Sequence, residues 1–437
     1  MAPARSDEIV DVFERHFADL MEHDPLAFRQ RFRKMANDPF AFFRGSACLF
    51  YHDVHERPDP WCRDDSTPVW IHGDLHAANF GTYMDARGIL VFDVNDFDEA
   101  YVGHWTWDLC RFSASIALLL WNKAFPDDVI DDVIERYVRS YVDQVRFYLH
   151  EDDDHEWALH LDNARGAVLD SLHAARSASR LDLLDGSSRV VDQQRTFVDS
   201  SSARRLDDDD EHDRVLDAFS RYLDTIPDRR RQESEIAYDV KDVVGRSGFG
   251  IGSAGLAAYN VLIEGRSQAL ENDVVLTMKQ GVDAVIGRFV QHGRLDDAIE
   301  HHGHRTALSQ HALQAHADPF LGWTSIDDTG FVVSELSPYE AELDWGDVAE
   351  PDEVLELVED LGKATAKVHC ASDADAAVTI VDAQVEDLID RDIGDDVDGL
   401  VEWVRQFAID YAGSTRDDHT VFVEAFRGGA FQSLSAT

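Results

Sequence analysis

Residues 69–100, VWIHGDLHAANFGTYMDARGILVFDVNDFDEA, constrain this chain most, because two short apolar runs there each break off into carboxylates. Val69 to Ile71 and Ile89 to Phe92 are β-branched and aromatic, which suits strands, and the charged residues after them read as loops. Polar chemistry is therefore concentrated at two strand ends. In the first loop, HGDLHAAN, Asp74 stands five residues before Asn79, and on a tight loop the two side chains can converge. A carboxylate there can take a proton from a hydroxyl nucleophile, and a carboxamide oxygen can serve Mg²⁺ as a neutral ligand. The second loop offers Asp93, Asp96, Asp98 and Glu99 as hard oxygen ligands. Any one of these acids reads equally well as solvated surface. The ordered set His72, Asp74, Asn79 and Asp96 is harder to explain that way.

The wider composition narrows the function classes. With 86 acidic against 40 basic residues the formal charge is −46, and the acids are spread over the whole length. Such a chain repels itself in dilute buffer, so the expected setting is a salt-accumulating cytoplasm, where the Debye length shrinks to about 3 Å at 1 M. No basic face is available for a nucleic-acid partner. Cys48, Cys62, Cys110 and Cys370 are scattered without metal-binding spacing and read as buried thiols. The N-terminal segment turns acidic at once, and the longest apolar run, Ile116 to Trp121, is too short for a bilayer. A soluble cytoplasmic protein with no membrane partner is expected.

At 437 residues the chain is long enough for two lobes. From Asp7 to Phe43 apolar residues recur at helical spacing, and Pro25 and Pro39 divide them into two or three helices. FAFFRGSACLFY follows, and in it Arg44 is a lone cation on an apolar stretch, suited either to a salt bridge or to a bidentate grip on phosphate. Helices are predicted over Trp107 to Phe125 and Val129 to Leu149; residues 151–235 read as helices joined by acidic or Ser/Arg-rich loops. In VVGRSGFGIGSAGLAAYNVLIEG, Gly245, Gly248, Gly250, Gly252 and Gly255 free the backbone to approach phosphate oxygens. The next strand ends in Lys279, one of six lysines in a chain that prefers arginine, and it suits contact with α- and β-phosphates. GIGSAG also fits a dinucleotide-binding βαβ unit with a helix over Leu256 to Ile263, although that strand would then end in Lys279 and Gln280 where an acid is needed. Asp296 to His316 reads as helix, with HHGH at a solvated helix end, Gly330 to Leu336 as strand, and Val354 to Cys370 as a strongly amphipathic helix.

HGDLHAANF, NDFDEA and WTWDL resemble the catalytic segment of the aminoglycoside and choline phosphotransferases, whose pattern is HGDxxxxN, then IDF, then DLA on a protein-kinase-like fold. Asp96 and Asp108 stand twelve residues apart, a register that favours Asp96 over Asp93 as the metal acid. LGKATAKVH resembles the LGxxLAxLH helix that precedes HGDxxxxN in those enzymes, yet here it comes last, so the parts read as a circular permutation. FFRGSACLF, HGDLHAANFGTY, VFDVNDFDEA, WTWDLCRFSAS, ALSQHALQAHADPFLGW and YAGSTRDDHTVF together resemble the domain-of-unknown-function 2252 family. The phosphotransferase resemblance implies an α+β, protein-kinase-like two-lobe fold, circularly permuted, with a large helical lobe and a small β-rich nucleotide lobe. Residues 1–235 and 346–437 would form the large lobe and 236–345 the small one. It further implies an ATP- and Mg²⁺-dependent phosphotransferase. Asp74 would be the base and His72 its brace, Asn79 and Asp96 would hold metal, and Gly248, Gly250, Gly252, Gly255 and Lys279 would hold nucleotide. KQG stands where the 2252 family has KEA, and no acid precedes the glutamine near Gln310, so Glu300 and Glu335 are the candidate partners of Lys279. A nucleotide-binding pseudokinase-like regulator is the first alternative. The second is a metal-dependent hydrolase built on His72, Asp74 and His76 with Asp93 or Asp96.

Overall fold

Proline and aspartate cut the N-terminal region into four helices, α1 (Arg5–His23), α2 (Pro25–Met35), α3 (Pro39–Arg44) and α4 (Ala47–Val54). Asp24 and Asp38 cap α2 and α3 by accepting the amides of Ala27 and Ala41 at 2.9 Å, and a proline follows each cap at the first helical position. These elements belong to a computed structural model that describes residues 4–62, 68–150, 156–226, 236–246, 254–371 and 380–434.

The motif region follows as β1 (Val69–Ile71), β2 (Phe80–Met84), β3 (Leu90–Val94) and β4 (Tyr101–Gly103). β1 pairs antiparallel with β4, and β2 with β3. The HGDLHAAN loop thus joins two separate small sheets. β2 was not expected, because FGTYM lacks a clean alternation; it forms as the partner that the buried β3 backbone requires. α5 (Trp105–Asn122) and α6 (Asp127–Tyr148) are the two predicted helices. α5 is apolar on all sides and lies inside the main core.

Residues 156–226 hold more strand than their composition suggests. β5 (Leu159–His160) extends the β2–β3 sheet, then come α7 (Gly166–Arg176), α8 (Arg180–Ser187), the hairpin β6 (Ser188–Val191) and β7 (Gln194–Phe197), β8 (Ala203–Arg205) and α9 (Asp209–Tyr222). The glycine-rich region contributes β9 (Val240–Arg246), β10 (Ala258–Ile263) and β11 (Val274–Gln280). Next are α10 (Gly293–Ala298), α11 (His302–Leu313), β12 (Gly322–Ile326), β13 (Thr329–Glu335) and β14 (Ala341–Glu342). The chain closes with α12 (Pro351–Cys370), α13 (Val385–Ile393) and α14 (Val397–Arg427).

A six-stranded antiparallel sheet runs in the order β12-β13-β11-β10-β9-β8, with Lys279 opposite Ala258 on one side and Val332 on the other. Residues 258–263 are therefore a strand between two antiparallel neighbours, and the helix required by a dinucleotide-binding unit is absent from this segment. β8 and α9, which precede residue 236, also belong to this body: β8 pairs with β9, and Val215, Phe219 and Tyr222 of α9 enter the sheet's own core. α6, α12 and α14 pack with α5 around the larger core. The molecule is thus a mixed α+β protein with 14 α-helices among the described residues.

Candidate functional site

The HGD turn is held from behind by Asp108 in the first turn of α5. Its carboxylate accepts the amides of His72 at 2.7 Å and Gly73 at 3.0 Å and meets His369 Nε2 at 3.1 Å, all fully buried. Tyr51 donates its hydroxyl to the Gly73 carbonyl at 2.5 Å. Gly73 has φ +84°, and a Cβ there would fall 2.2 Å from the Glu99 carbonyl oxygen, so only glycine lets the two acidic loops approach this closely.

The turn presents Asp74 to a cleft. Arg111, fully buried and stacked 4.4 Å above the Phe43 ring, donates Nε to the Asp74 carboxylate at 2.5 Å and Nη2 to the Phe43 carbonyl at 3.1 Å. Burial pushes the Asp74 carboxyl above its ordinary range, and the charge and hydrogen bond of Arg111 oppose that. His72 faces the Asn95 carbonyl through Nε2 at 2.9 Å, and its Nδ1 accepts the Asp74 amide at 3.3 Å. Both ring nitrogens of His72 are thus engaged by backbone groups of the two acidic loops. Asn79 donates its amide to the Asp74 carbonyl at 3.3 Å, which leaves its Oδ1 toward the cleft it lines.

The second loop divides its acids by role. Asp93 is buried against Lys367 of α12, which also donates to the Leu313 carbonyl at 2.8 Å. Burial pushes both groups toward neutrality. Asp96 adopts φ +64° and projects into the cleft. Asp98 forms an ion pair with Lys279 from the end of β11. Burial opposes the charge of Lys279, but Asp98 and Asp96 outweigh it and hold the ammonium above the ordinary lysine range. Glu99 accepts the Val285 amide at 2.8 Å, and burial raises its carboxyl to about 8. Arg305 of α11 ties the loop down by donating to the carbonyls of Ala100 and Asp98 at 2.5 Å and of Val282 at 2.9 Å.

These side chains line two adjoining cavities. One, of about 380 Å³, holds Asp74, Asp98, Glu99, Arg31 and Arg288; the other, of about 450 Å³, holds Asn79, Lys279, Gln310, Ser334 and Glu335. Arg44 and Asp96 line both. Gly255, φ +79°, lies against Phe28 and the Leu20 carbonyl, at the rim of the first cavity beside Leu256. Gly248, Gly250 and Gly252 lie outside the described residues.

Residues 23–425 match the family described as "Uncharacterized protein conserved in bacteria (DUF2252)". The chain belongs to that family. Neither a curated protein nor a solved structure matches it.

In this DUF2252 protein the expected glutamate partner of Lys279 is replaced. Glu300 is exposed, and Glu335 is taken by Arg180. α11 turns Gln310 to the cleft, bonded to Gln314 at 2.9 Å, and the carboxylate for Lys279 comes from Asp98 in the acidic loop. The KQG departure has a steric reason, since a Cβ at Gly281 would fall 2.2 Å from the Gly303 amide of α11. His76 is buried with its Nδ1 accepting the Ala78 amide at 3.3 Å. Among the described residues, the His, Cys, Asp and Glu side chains that gather closely enough for a metal are Asp59, Cys62 and His104, and none of these lines either cavity. His72, Asp74 and His76 do not form such a group. Sequence reasoning missed Arg111; its signal was an arginine one helical turn after Asp108 in an otherwise apolar helix. Among the described residues no helix is long and apolar enough to cross a membrane.

Proposed function

We propose that this DUF2252 protein is a phosphotransferase that moves the terminal phosphoryl group of ATP to a hydroxyl. The observation that carries this reading is the Lys279–Asp98 ion pair, which joins the end of β11 to the acidic loop two residues from Asp96, beside a cavity that also holds Asp74. A lysine for the phosphates, an acid for the metal and a carboxylate for the acceptor hydroxyl then share one cleft.

The connectivity supports a kinase-like lobe in permuted order. β9 and β10 make a hairpin, β11 ends in lysine, α11 packs on the sheet, and β12 and β13 lead through Ser334 and Ser337 along the second cavity. α12 ends beside β1, and its His369 meets Asp108 behind the HGD turn, so the helix and the catalytic strand are spatial neighbours although 280 or more residues separate them in the chain. The small lobe then centres on residues 236–345, with α8, the β6–β7 hairpin, β8 and α9 added, and the remainder forms the large lobe.

Asn79 and Asp96 are the residues suited to Mg²⁺, since a neutral oxygen and a carboxylate that no described cation contacts in an ion pair match a hard ion. When bound, the metal would neutralise phosphate charge. Asp74 orients the acceptor and accepts its proton, and Arg111 fixes the carboxylate's direction. A pseudokinase-like role is favoured by one feature, the lack of an acid ahead of Gln310 on α11, where Ser309 is buried and accepts the Trp70 indole N–H at 3.2 Å.

The test is thermal unfolding in concentrated KCl with Mg²⁺ATP, Mg²⁺ alone and NADPH, on wild type, Lys279→Ala and Asp96→Ala. A ligand at 100 times its dissociation constant adds about 2.7 kcal/mol. The reading expects a shift with Mg²⁺ATP alone, lost in both variants; a shift with NADPH and none with ATP overturns it. ATP stabilisation without ADP formation for any acceptor supports the regulator.

A further inference from the structure

We propose that Arg44 binds an anionic group on the acceptor, so that the substrate is a hydroxylated small molecule bearing a phosphate or a carboxylate. This rests on the phosphotransferase reading and names the substrate class for that site.

Arg44 ends α3 and lines the first cavity together with Asp74. In a chain with 86 acids to 40 bases, arginines readily find carboxylates: Arg111 takes Asp74, Arg288 takes Asp283, Arg180 takes Glu335, and Arg5 takes Asp53 and Asp418. Arg44 is half-buried, yet no described residue gives it an ion pair or a side-chain hydrogen bond, and its Nε is fully buried without an acceptor. A buried donor without an acceptor is costly, and an incoming oxyanion would supply the acceptor.

The surrounding charges leave the position open to an anion. Of the carboxylates lining this cavity, Asp74, Asp98 and Asp283 are matched by Arg111, Lys279 and Arg288, Glu99, raised to about 8, is largely neutral near pH 7, Asp19 is exposed, and Asp96 is the acid assigned to Mg²⁺. Arg31, buried one layer deeper, donates to the Gly45 carbonyl at 3.1 Å and adds positive potential to the same wall. Ala47 and Cys48 open α4 on that wall, where first-turn amides have no intrahelical acceptor. Arginine's planar fork grips carboxylate and phosphate oxygens two at a time. A cavity of about 380 Å³ takes a small molecule. An anion held at Arg44 would leave a hydroxyl free to reach Asp74.

The experiment is calorimetric titration of the full chain in concentrated KCl with glycerol 3-phosphate, glycerate and glycerol, on wild type, Arg44→Gln, Arg44→Lys and Lys279→Ala. At least one anion is expected to bind wild type and glycerol is not; the phosphate and carboxylate arms tell a phosphomonoester from a hydroxy acid. Arg44→Gln should weaken the anion at least tenfold and Arg44→Lys less, with the Mg²⁺ATP midpoint shift retained in both. Lys279→Ala should keep the anion and lose the nucleotide. Absence of anion binding, equal binding by Arg44→Gln, or glycerol binding as well as the anions overturns the proposal. Displacement of the anion by Mg²⁺ATP also overturns it, by assigning Arg44 to the nucleotide. Anion binding without any Mg²⁺ATP binding sinks the phosphotransferase reading and the acceptor role with it, while leaving an anion site.

Discussion

Asp74 is held between burial, which favours its protonated form, and Arg111, which favours the carboxylate and aims it into the cleft. If the carboxylate orients and deprotonates the acceptor, Asp74→Asn lowers turnover of Mg²⁺ATP by about 10²–10⁴-fold and leaves the Mg²⁺ATP-induced midpoint shift intact. Turnover equal to wild type would remove Asp74 from catalysis. Gly73 belongs to the same turn. Gly73→Ala forces a side chain into a left-handed backbone and against the Glu99 carbonyl, a loss of about 2–4 kcal/mol in chemical denaturation; a loss under 1 kcal/mol would mean that the two loops part easily. Glu99 gives a pH signature. Its folded value of about 8 lies above the ordinary 4.5, so the folded chain keeps a proton that the unfolded chain releases. Stability from this group is present below about pH 4.5 and is lost as pH rises toward 8. Glu99→Gln should therefore shrink the fall in unfolding free energy between these limits by about 1–3 kcal/mol, the upper end reduced by cleft water. An unchanged pH slope would return Glu99 to ordinary titration.

Between elements, the Asp93–Lys367 pair ties β3 to α12 inside the main core. Both groups are 1% exposed or less, so the attraction is bought with two desolvation penalties. Lys367→Met leaves a buried carboxylate and costs about 3–5 kcal/mol, whereas the double change Asp93→Leu, Lys367→Met recovers most of it. Equal denaturation midpoints for the single and double variants would show that packing around Lys367, and not its charge, holds the two elements. This pairing also explains why two acids three residues apart, Asp93 and Asp96, have different roles: Asp93 points back from β3 into the core, and Asp96 leaves the strand with positive φ toward the cleft. At the other wall, Gly281 meets Gly303, so β11 and α11 approach through bare backbone. That contact and the carbonyls gripped by Arg305 set where Lys279 enters the cleft.

Over the whole molecule, a charge of −46 makes self-repulsion a destabilising term that salt screens. The unfolding midpoint should rise steadily between about 0.1 M and 2 M KCl, well beyond about one Debye length of screening; a flat or falling midpoint would refute the high-salt reading. Local chemistry made much of the fold legible. Pro25 and Pro39 announced the N-terminal helix breaks, a long apolar stretch announced α5, apolar periodicity announced α6 and α12, and the HGDLHAAN and NDFDEA loops stood out as carboxylates closing strands. Each of these signals is carried by residues within a turn or two of one another, so the chain alone determined them. Tertiary structure decided the rest. It chose Asp98 as the partner of Lys279 across 181 positions, and Arg111 to hold Asp74 across 37. It sent Asp93 to Lys367, and it drew β8 and α9 into a sheet whose main strands begin at Val240. The physical reason is common to all four: which charge meets which, and which strand finds which edge, depends on burial that exists only after distant segments have packed.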